Sequence, residues 1–301
     1  RMEPCARPYR TVAGADGRFR FVEVASYPEG HLYVLAATWA GIEQTSLPRL
    51  RQEITQPTEF PLYEITDDLG QVVANRGNLR VEFQQIGGVP VLQMLLELAY
   101  VNLGDHIVLD EPNTPQAHAF TLELPVGAFN IAPEQPPGGV QRFQPVENLR
   151  NLEISGVQDT QPLAPGYGQR LAVSFFVPYR DGAVIDMRLP FALDDLGVFV
   201  QAAQGLELEG DFLNFSETQT TSTGRRYDVY TQTTPLEPNA PLKFSLAGQP
   251  INQASAGAQA LTSTESDTAL VLVLGGGVAL LVIMGLAIWF WLARRTERQL
   301  L

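Results

Sequence analysis

LRVEFQQI, residues 79–86, is the stretch that decides the fold. Leu79, Val81 and Phe83 alternate with Arg80, Glu82 and Gln84. A period of two puts the apolar set on one face of a strand and the polar set on the other. The next run, Leu92–Leu103 (LQMLLELAYVNL), is apolar almost throughout and stops at Gly104-Asp105. Residues 91–101 also fit a helical period, but the β-rich surroundings assign them to a buried strand. Working outward, His118–Leu124 alternates before Pro125 and Gly127. Arg150–Val157, Leu171–Val177, Ala183–Leu189, Gly197–Ala203, Arg225–Thr231 and Leu242–Leu246 continue the series, with turn-rich connectors at Pro133–Gly139 and Pro162–Gly168. Short strands at roughly 8–12-residue spacing are the pattern of a β-sandwich. The 22 prolines and 26 glycines are spread along the chain, as short strands joined by turns require.

Upstream, Thr11–Leu50 opens with Asp16-Gly17, a two-residue hairpin turn in which both positions tolerate positive φ. Arg18–Val24 then alternates, with Phe19 and Phe21 on one face. Pro28-Glu29-Gly30 turns the chain, and Leu32–Trp39 reads as a strand ending at Gly41. This segment resembles the carboxypeptidase regulatory-like (prealbumin-like) β-sandwich module, on its DG-R-F-x-F hairpin, its turn, its Y-x-V strand and its terminal glycine. The resemblance covers about the first 50 residues and implies half a module, whose absent opening strands would make the sequence a fragment lacking its start. Residues further on resemble the β-domain that follows such modules in bacterial envelope proteins. They are Tyr63-Glu64, Thr66-Asp67-Asp68, Tyr100–Asp105, Leu124–Ala128 and Val177-Pro178-Tyr179. That resemblance implies an extracytoplasmic domain and carries over no catalytic residue.

Ala269–Ala293 (ALVLVLGGGVALLVIMGLAIWFWLA) has no charged residue and exceeds the ~20 residues needed to cross a bilayer. Trp289, Phe290 and Trp291 stand at one end, where aromatic rings favour headgroups, and Arg294 and Arg295 follow at once. Glu265 and Asp267 flank the other end. The positive-inside bias then puts the C-terminus in the cytoplasm and residues 1–268 outside. Gly275–Gly277 and Gly285 form no strict small-xxx-small glycine pair, so helix dimerisation is not the expected reading. An outward body needs a secretory signal, and Arg1–Cys5 offers no apolar core for one. Either the start is missing or the protein is tail-anchored; the second would require Arg294, Arg295 and Arg298 to cross the membrane.

The expected fold is therefore all-β, with two or three β-sandwich (prealbumin-like or Ig-like) domains and one C-terminal transmembrane helix. Its divisions are a partial module at 1–62, a sandwich at 63–168 and either a second sandwich or the rest of the first at 169–250. A linker at 251–267, the span at 268–293 and a cytoplasmic tail at 294–301 complete the chain. Of the net charge of −13, residues 1–268 hold 17 basic and 32 acidic groups, or −15, and the tail restores +2. A body this acidic repels phosphate backbones, which argues against nucleic-acid binding. Cys5 stands alone, which excludes an internal disulfide framework and a cysteine-based zinc site.

Motifs for chemistry are sparse. His31, His106 and His118 lack metal-ligand spacing. Around His106, the carboxylates Asp105, Asp110 and Glu111 resemble a cation loop less than a solvated one, because calcium needs several convergent oxygens. Glu64, Asp67 and Asp68 read as an acidic junction. Glu207, Glu209 and Asp211 alternate with Leu206, Leu208 and Phe212, as on the wet face of an edge strand. There is no G-x-S-x-G, and Ser155 and Ser174 lie within strand patterns. Asn214-Phe215-Ser216 matches the glycosylation triplet. Trp39, Tyr167 and Tyr179 at strand ends suit core caps or a partner surface. The expectation is no catalytic, cofactor or metal site, and a membrane anchor at Trp289, Trp291, Arg294 and Arg295. The function expected is a single-pass binding or structural protein that presents its sandwiches to an envelope protein or glycan, with the lipid bilayer as its other partner. The alternative is an accessory subunit of a membrane export or biogenesis complex.

Overall fold

The computed structural model describes residues 8–25, 31–136, 141–147, 149 and 154–249. The linker, the apolar run and the tail, with Trp289, Trp291, Arg294 and Arg295, lie outside the described residues. Among the described residues no helix is long and apolar enough to cross a membrane.

In chain order the strands are β1 (Ala36–Trp39), β2 (Ile42–Thr45), β3 (Ile65–Thr66), β4 (Val72–Ile86), β5 (Val89–Asn102), β6 (Ile107–Val108), β7 (Phe120–Glu123), β8 (Phe129–Pro133) and β9 (Phe143–Val146). They continue with β10 (Gly156–Asp159), β11 (Gly168–Pro178), β12 (Ala183–Arg188), β13 (Ala192–Leu193), β14 (Leu196–Gln201), β15 (Glu207–Glu209), β16 (Leu213–Thr220), β17 (Arg226–Gln232) and β18 (Pro241–Ala247). One helical turn, α1 (Arg51–Ile54), precedes the sandwich.

The hairpin β4–β5 is the axis of the molecule, in register from Val72↔Asn102 to Ile86↔Val89. Its two-residue turn, Gly87-Gly88, has φ of 58° and 82°. Left-handed backbone at both positions matches the strand twist, and glycine adopts it without a Cβ clash. The period of two is realised: Leu79, Val81 and Phe83 are buried together with Leu92, Met94, Leu96, Leu98 and Tyr100. Each such side chain contributes roughly 1.5–3 kcal/mol when removed from water. The helical alternative for 91–101 fails because β4 and β11 hydrogen-bond both of its edges.

These strands sit in an eight-stranded sheet ordered β16-β17-β14-β4-β5-β11-β8, with β13 beside β4. β13 and β14 run parallel to β4, Val198 opposite Leu79, in a sheet otherwise antiparallel. A six-stranded sheet, β15-β18-β12-β7-β10-β9, supplies the other half of the core through Leu122, Val157, Ile185, Met187, Leu242, Phe244 and Leu246. Strands from both sides of residue 168 interleave in both sheets, so 63–168 and 169–249 share one core.

The N-terminal expectations need correction. The Asp16-Gly17 turn forms, with Gly17 at φ 77° and the Gly14 amide donating to the Arg18 carbonyl at 2.8 Å. Arg18–Val24 nevertheless is not a strand, because no described segment pairs with it. The strand expected over Leu32–Trp39 shrinks to β1, which pairs only with β2. Among the described residues, 8–62 hold the β1–β2 hairpin rather than half a sandwich, and 63–249 form one pair of packed sheets.

The sandwich has two poles. Residues 63–66 enter where β5 ends: β3 pairs with β6, and the Gln44 side chain brackets Tyr63 with hydrogen bonds of 2.8 and 2.9 Å. The opposite pole holds the Gly87-Gly88 turn. There Pro178 faces Val91, and Gly127 lies against Pro178. The chain leaves at this pole, the Gly248 amide donating to Asp181 Oδ1 at 2.8 Å and the Tyr179 hydroxyl to the Gly248 carbonyl at 2.7 Å.

Candidate binding groove

The outer face of the eight-stranded sheet carries the side chains that alternation turns away from the core. Asn78 and Arg80 come from β4, Leu95 and Glu97 from β5, Phe199 from β14 and Tyr227 from β17. Together with Gln219, Thr220 and Thr221 they line a groove of about 240 Å³. Leu95 and Phe199 make its apolar floor. Gly197 shapes that floor, since a Cβ there would lie 3.0 Å from the Phe199 ring. A residue larger than glycine would make the ring give by a few tenths of an ångström.

The rim is charged and ordered. Glu82 accepts a hydrogen bond from the Tyr227 hydroxyl and faces Arg80 and Arg225, each at 3.5 Å. Glu97 pairs with Arg170. Burial, then the bond to Glu82, pushes the Tyr227 phenol above its usual range. The Tyr227 hydroxyl and the Glu82 charge raise Arg225, and Glu97 raises Arg170. Phenol and guanidinium groups therefore hold their protons at neutral pH and act as donors. A floor of apolar and aromatic surface under such donors suits a short polar chain lying across the sheet. The volume falls below the ~300–1,000 Å³ usual for an enclosed small-molecule site. A second depression of about 300 Å³, between Thr121, Glu123, Arg188, Pro190 and Asn239, has no aromatic in its lining.

A different polar cluster lies inside the sandwich. Asp159 is 0% exposed. Its Oδ1 accepts from Arg142 Nε at 2.8 Å, and its Oδ2 from Arg142 Nη2 at 2.6 Å and the Tyr100 hydroxyl at 2.7 Å. The Gln161 amide adds a bond of 3.2 Å to Oδ1. Tyr100 stacks on Phe191 at 5.6 Å and meets Phe120 edge-on at 5.2 Å. Burial first, and the Asp159 charge second, push the Tyr100 phenol far above its usual range. With every carboxylate lone-pair direction occupied, the cluster fixes strand register rather than presenting chemistry to solvent.

The residues singled out in the sequence are dispersed. His106 Nδ1 meets Asp105 at 2.6 Å and holds that exposed carboxyl below its usual range. His118 Nδ1 faces the Gln116 carbonyl at 2.8 Å, with Asp110 at 4.0 Å from Nε2. Among the described residues no three His, Cys, Asp or Glu side chains converge as a metal site. Asp68 accepts from the Gly70 amide at 2.8 Å, closing a turn at the junction. Glu207 and Glu209 stay exposed around buried Leu208 on edge strand β15. Ser174 contacts the Ala132 carbonyl at 3.4 Å, and the Ser155 carbonyl accepts from the Leu124 amide. Tyr179 caps the core against Phe83, ring centroids 5.6 Å apart, whereas Trp39 and Tyr167 remain exposed. Asn214 is exposed on β16. Sequence reasoning missed the groove, whose only early signal was the polar half of the 79–86 alternation.

No protein-family profile matches the chain, and no curated protein does either. Among solved structures, a two-domain M1 zinc metallopeptidase crystallised as a mutant with L-tryptophan overlaps at a TM-score of 0.34 and 15% identity, covering 62% of this chain and 45% of that one. An M1 zinc metallopeptidase from Deinococcus radiodurans overlaps at 0.30 and 16%, covering 62% and 44%. The chain thus spans less than half the length of these peptidases. Overlap this slight assigns neither family nor activity.

Proposed function

We propose that the chain is a membrane-anchored, extracytoplasmic binding protein whose sandwich presents the outer face of its larger sheet to an envelope glycan. The observation that carries this reading is the groove itself, an apolar floor of Leu95 and Phe199 lined by the polar side chains of Asn78, Arg80 and Gln219. Aliphatic sugar faces pack on such floors while hydroxyls meet the rim. Anchoring rests on the apolar run 269–293 and the arginines after it. The test is a calorimetric titration of the full chain in detergent micelles with N-acetylhexosamine oligosaccharides. Phe199→Ala should weaken binding about fivefold to tenfold, the scale of one aromatic contact. No heat from the unaltered protein, or equal affinity after Phe199→Ala, refutes the glycan reading.

The segment 8–62 supports a second reading, an accessory subunit of a membrane complex. It leaves Val12, Val22, Leu47, Leu50 and Trp39 in solvent. Exposed apolar side chains gathered in one segment mark a protein contact. Capture of the full chain from detergent extracts tests it: a stoichiometric partner lost on Val22→Asp with Leu47→Asp supports the subunit role, and unchanged recovery refutes it.

A further inference from the structure

The outer face of the eight-stranded sheet continues past the groove. Strand register sets its outward side chains in rows that run across the strands. One row passes from Phe199 on β14 to Arg80 on β4, Leu95 on β5 and Ser174 on β11. Two residues along β11 from Ser174, Phe176 stands on the same face, because its neighbours Phe175 and Val177 turn into the core. Phe176 lies opposite Phe129 on the edge strand β8, their ring centroids 5.7 Å apart and their planes inclined at 30°. Phe129 is 41% exposed and Phe176 is half-buried, so the pair forms a second aromatic surface at the far margin of the sheet.

The register also fixes how far apart the two aromatic surfaces lie. From β14 the sheet reaches β11 in three steps, through β4 and β5. At about 4.8 Å per step and an offset of two residues along the strand, Phe176 stands roughly 16 Å from Phe199. The ground between them is polar. Gln93 sits between Glu82 on β4 and Phe176 on β11. Its Oε1 accepts from Gln84, which leaves its amide N–H groups without a partner among the described residues. A pyranose ring built from bonds of about 1.5 Å advances a 1,4-linked chain by roughly 5 Å, so a disaccharide reaches one surface and about four rings reach both.

Charge on this face is balanced. Glu82 stands between Arg80 and Arg225, and Glu97 and, more weakly, Glu134 act on Arg170. Further out, exposed Arg76 on β4 and Glu217 on β16 add one charge of each sign. Paired charges favour neither a polyanion nor a polycation, and the −15 of residues 1–268 repels polyanions in addition. We infer that the outer face binds an uncharged hexosamine chain of about four or more rings, laid across the strands from Phe199 to the Phe176–Phe129 pair. The inference rests on the glycan reading above and adds to it a second subsite, a minimum length and a direction.

The test titrates the full chain, in micelles of a detergent without a sugar headgroup, with β-1,4-linked N-acetylglucosamine oligomers from the dimer to the hexamer. Affinity should rise about tenfold from the dimer to the pentamer, the scale of the added aromatic contacts, and then level off. Phe129→Ala with Phe176→Ala should bring the pentamer to within about twofold of the dimer, and Phe129→Ala alone should cost the pentamer about threefold to fivefold. Because Phe129 is exposed, the single variant keeps the core intact and decides the matter if the double one does not fold. A pentamer no tighter than the dimer, or a Phe129→Ala protein that keeps the whole gain, overturns the extended site and leaves the groove standing. No heat from the unaltered protein with any oligomer overturns the glycan reading and the extended site together.

Discussion

Replacing Arg142 by methionine should be among the most damaging single changes outside the apolar core. Asp159 has no exposure and takes four hydrogen bonds, two of them from Arg142. Removing the guanidinium leaves a buried carboxylate with only the Tyr100 hydroxyl and the Gln161 amide. Breaking a buried pair from one side costs about 3–5 kcal/mol. In a domain of this size each kcal/mol lowers Tm by about 2–4 °C, so the expected fall is about 6–20 °C. The combined replacement Arg142→Met, Asp159→Leu and Tyr100→Phe removes charge and donors together and should recover most of the loss. Urea unfolding of the full chain in micelles, followed by near-ultraviolet circular dichroism, measures both variants. A loss under ~1 kcal/mol for Arg142→Met would refute the reasoning, as would a triple variant no more stable than the single one.

Gly77→Val should cost about 1–3 kcal/mol by overpacking, since its Cβ would meet Leu196, Leu193 and Leu98 at 3.1–3.2 Å; thermal melts check it, and an unchanged Tm contradicts it. Alkaline pH should destabilise the fold. The buried Tyr100 phenol ionises far above its unfolded value of 10.0, so its contribution is complete below pH 10 and is lost as pH rises beyond it. Tyr100→Phe should flatten that alkaline limb in a pH series of urea midpoints, and an identical limb rules the assignment out. Glu97→Gln should change stability by under ~1 kcal/mol, because the pair with Arg170 is largely solvated; a loss above 2 kcal/mol would contradict it.

The alternation at 79–86 located the central hairpin, and the strands at 171–177, 183–189 and 242–246 followed from local period alone. β16 escaped because all its residues after Leu213 are exposed, so it has no apolar face to read. Arg18–Val24 was misread for the opposite reason: it has the right period, but no described segment pairs with it. The groove was illegible because it gathers side chains from β4, β5, β14 and β17, and only the strand order, not spacing along the chain, makes them neighbours. The Arg142–Asp159–Tyr100 cluster was hidden likewise, its members meeting across the two sheets.

The pairing of β14 with β4 has a consequence for how the protein is made. A nascent chain can zip β4 onto β5 at once, but the other margin of β4 stays bare until residues 196–200 have been synthesised. Unsatisfied amides on so apolar a ribbon recruit other ribbons during that interval. Pairing across such sequence separation is also slow. Production should therefore depend on a holding chaperone that shields the ribbon, and yield should fall with expression rate before any loss of stability in the finished fold.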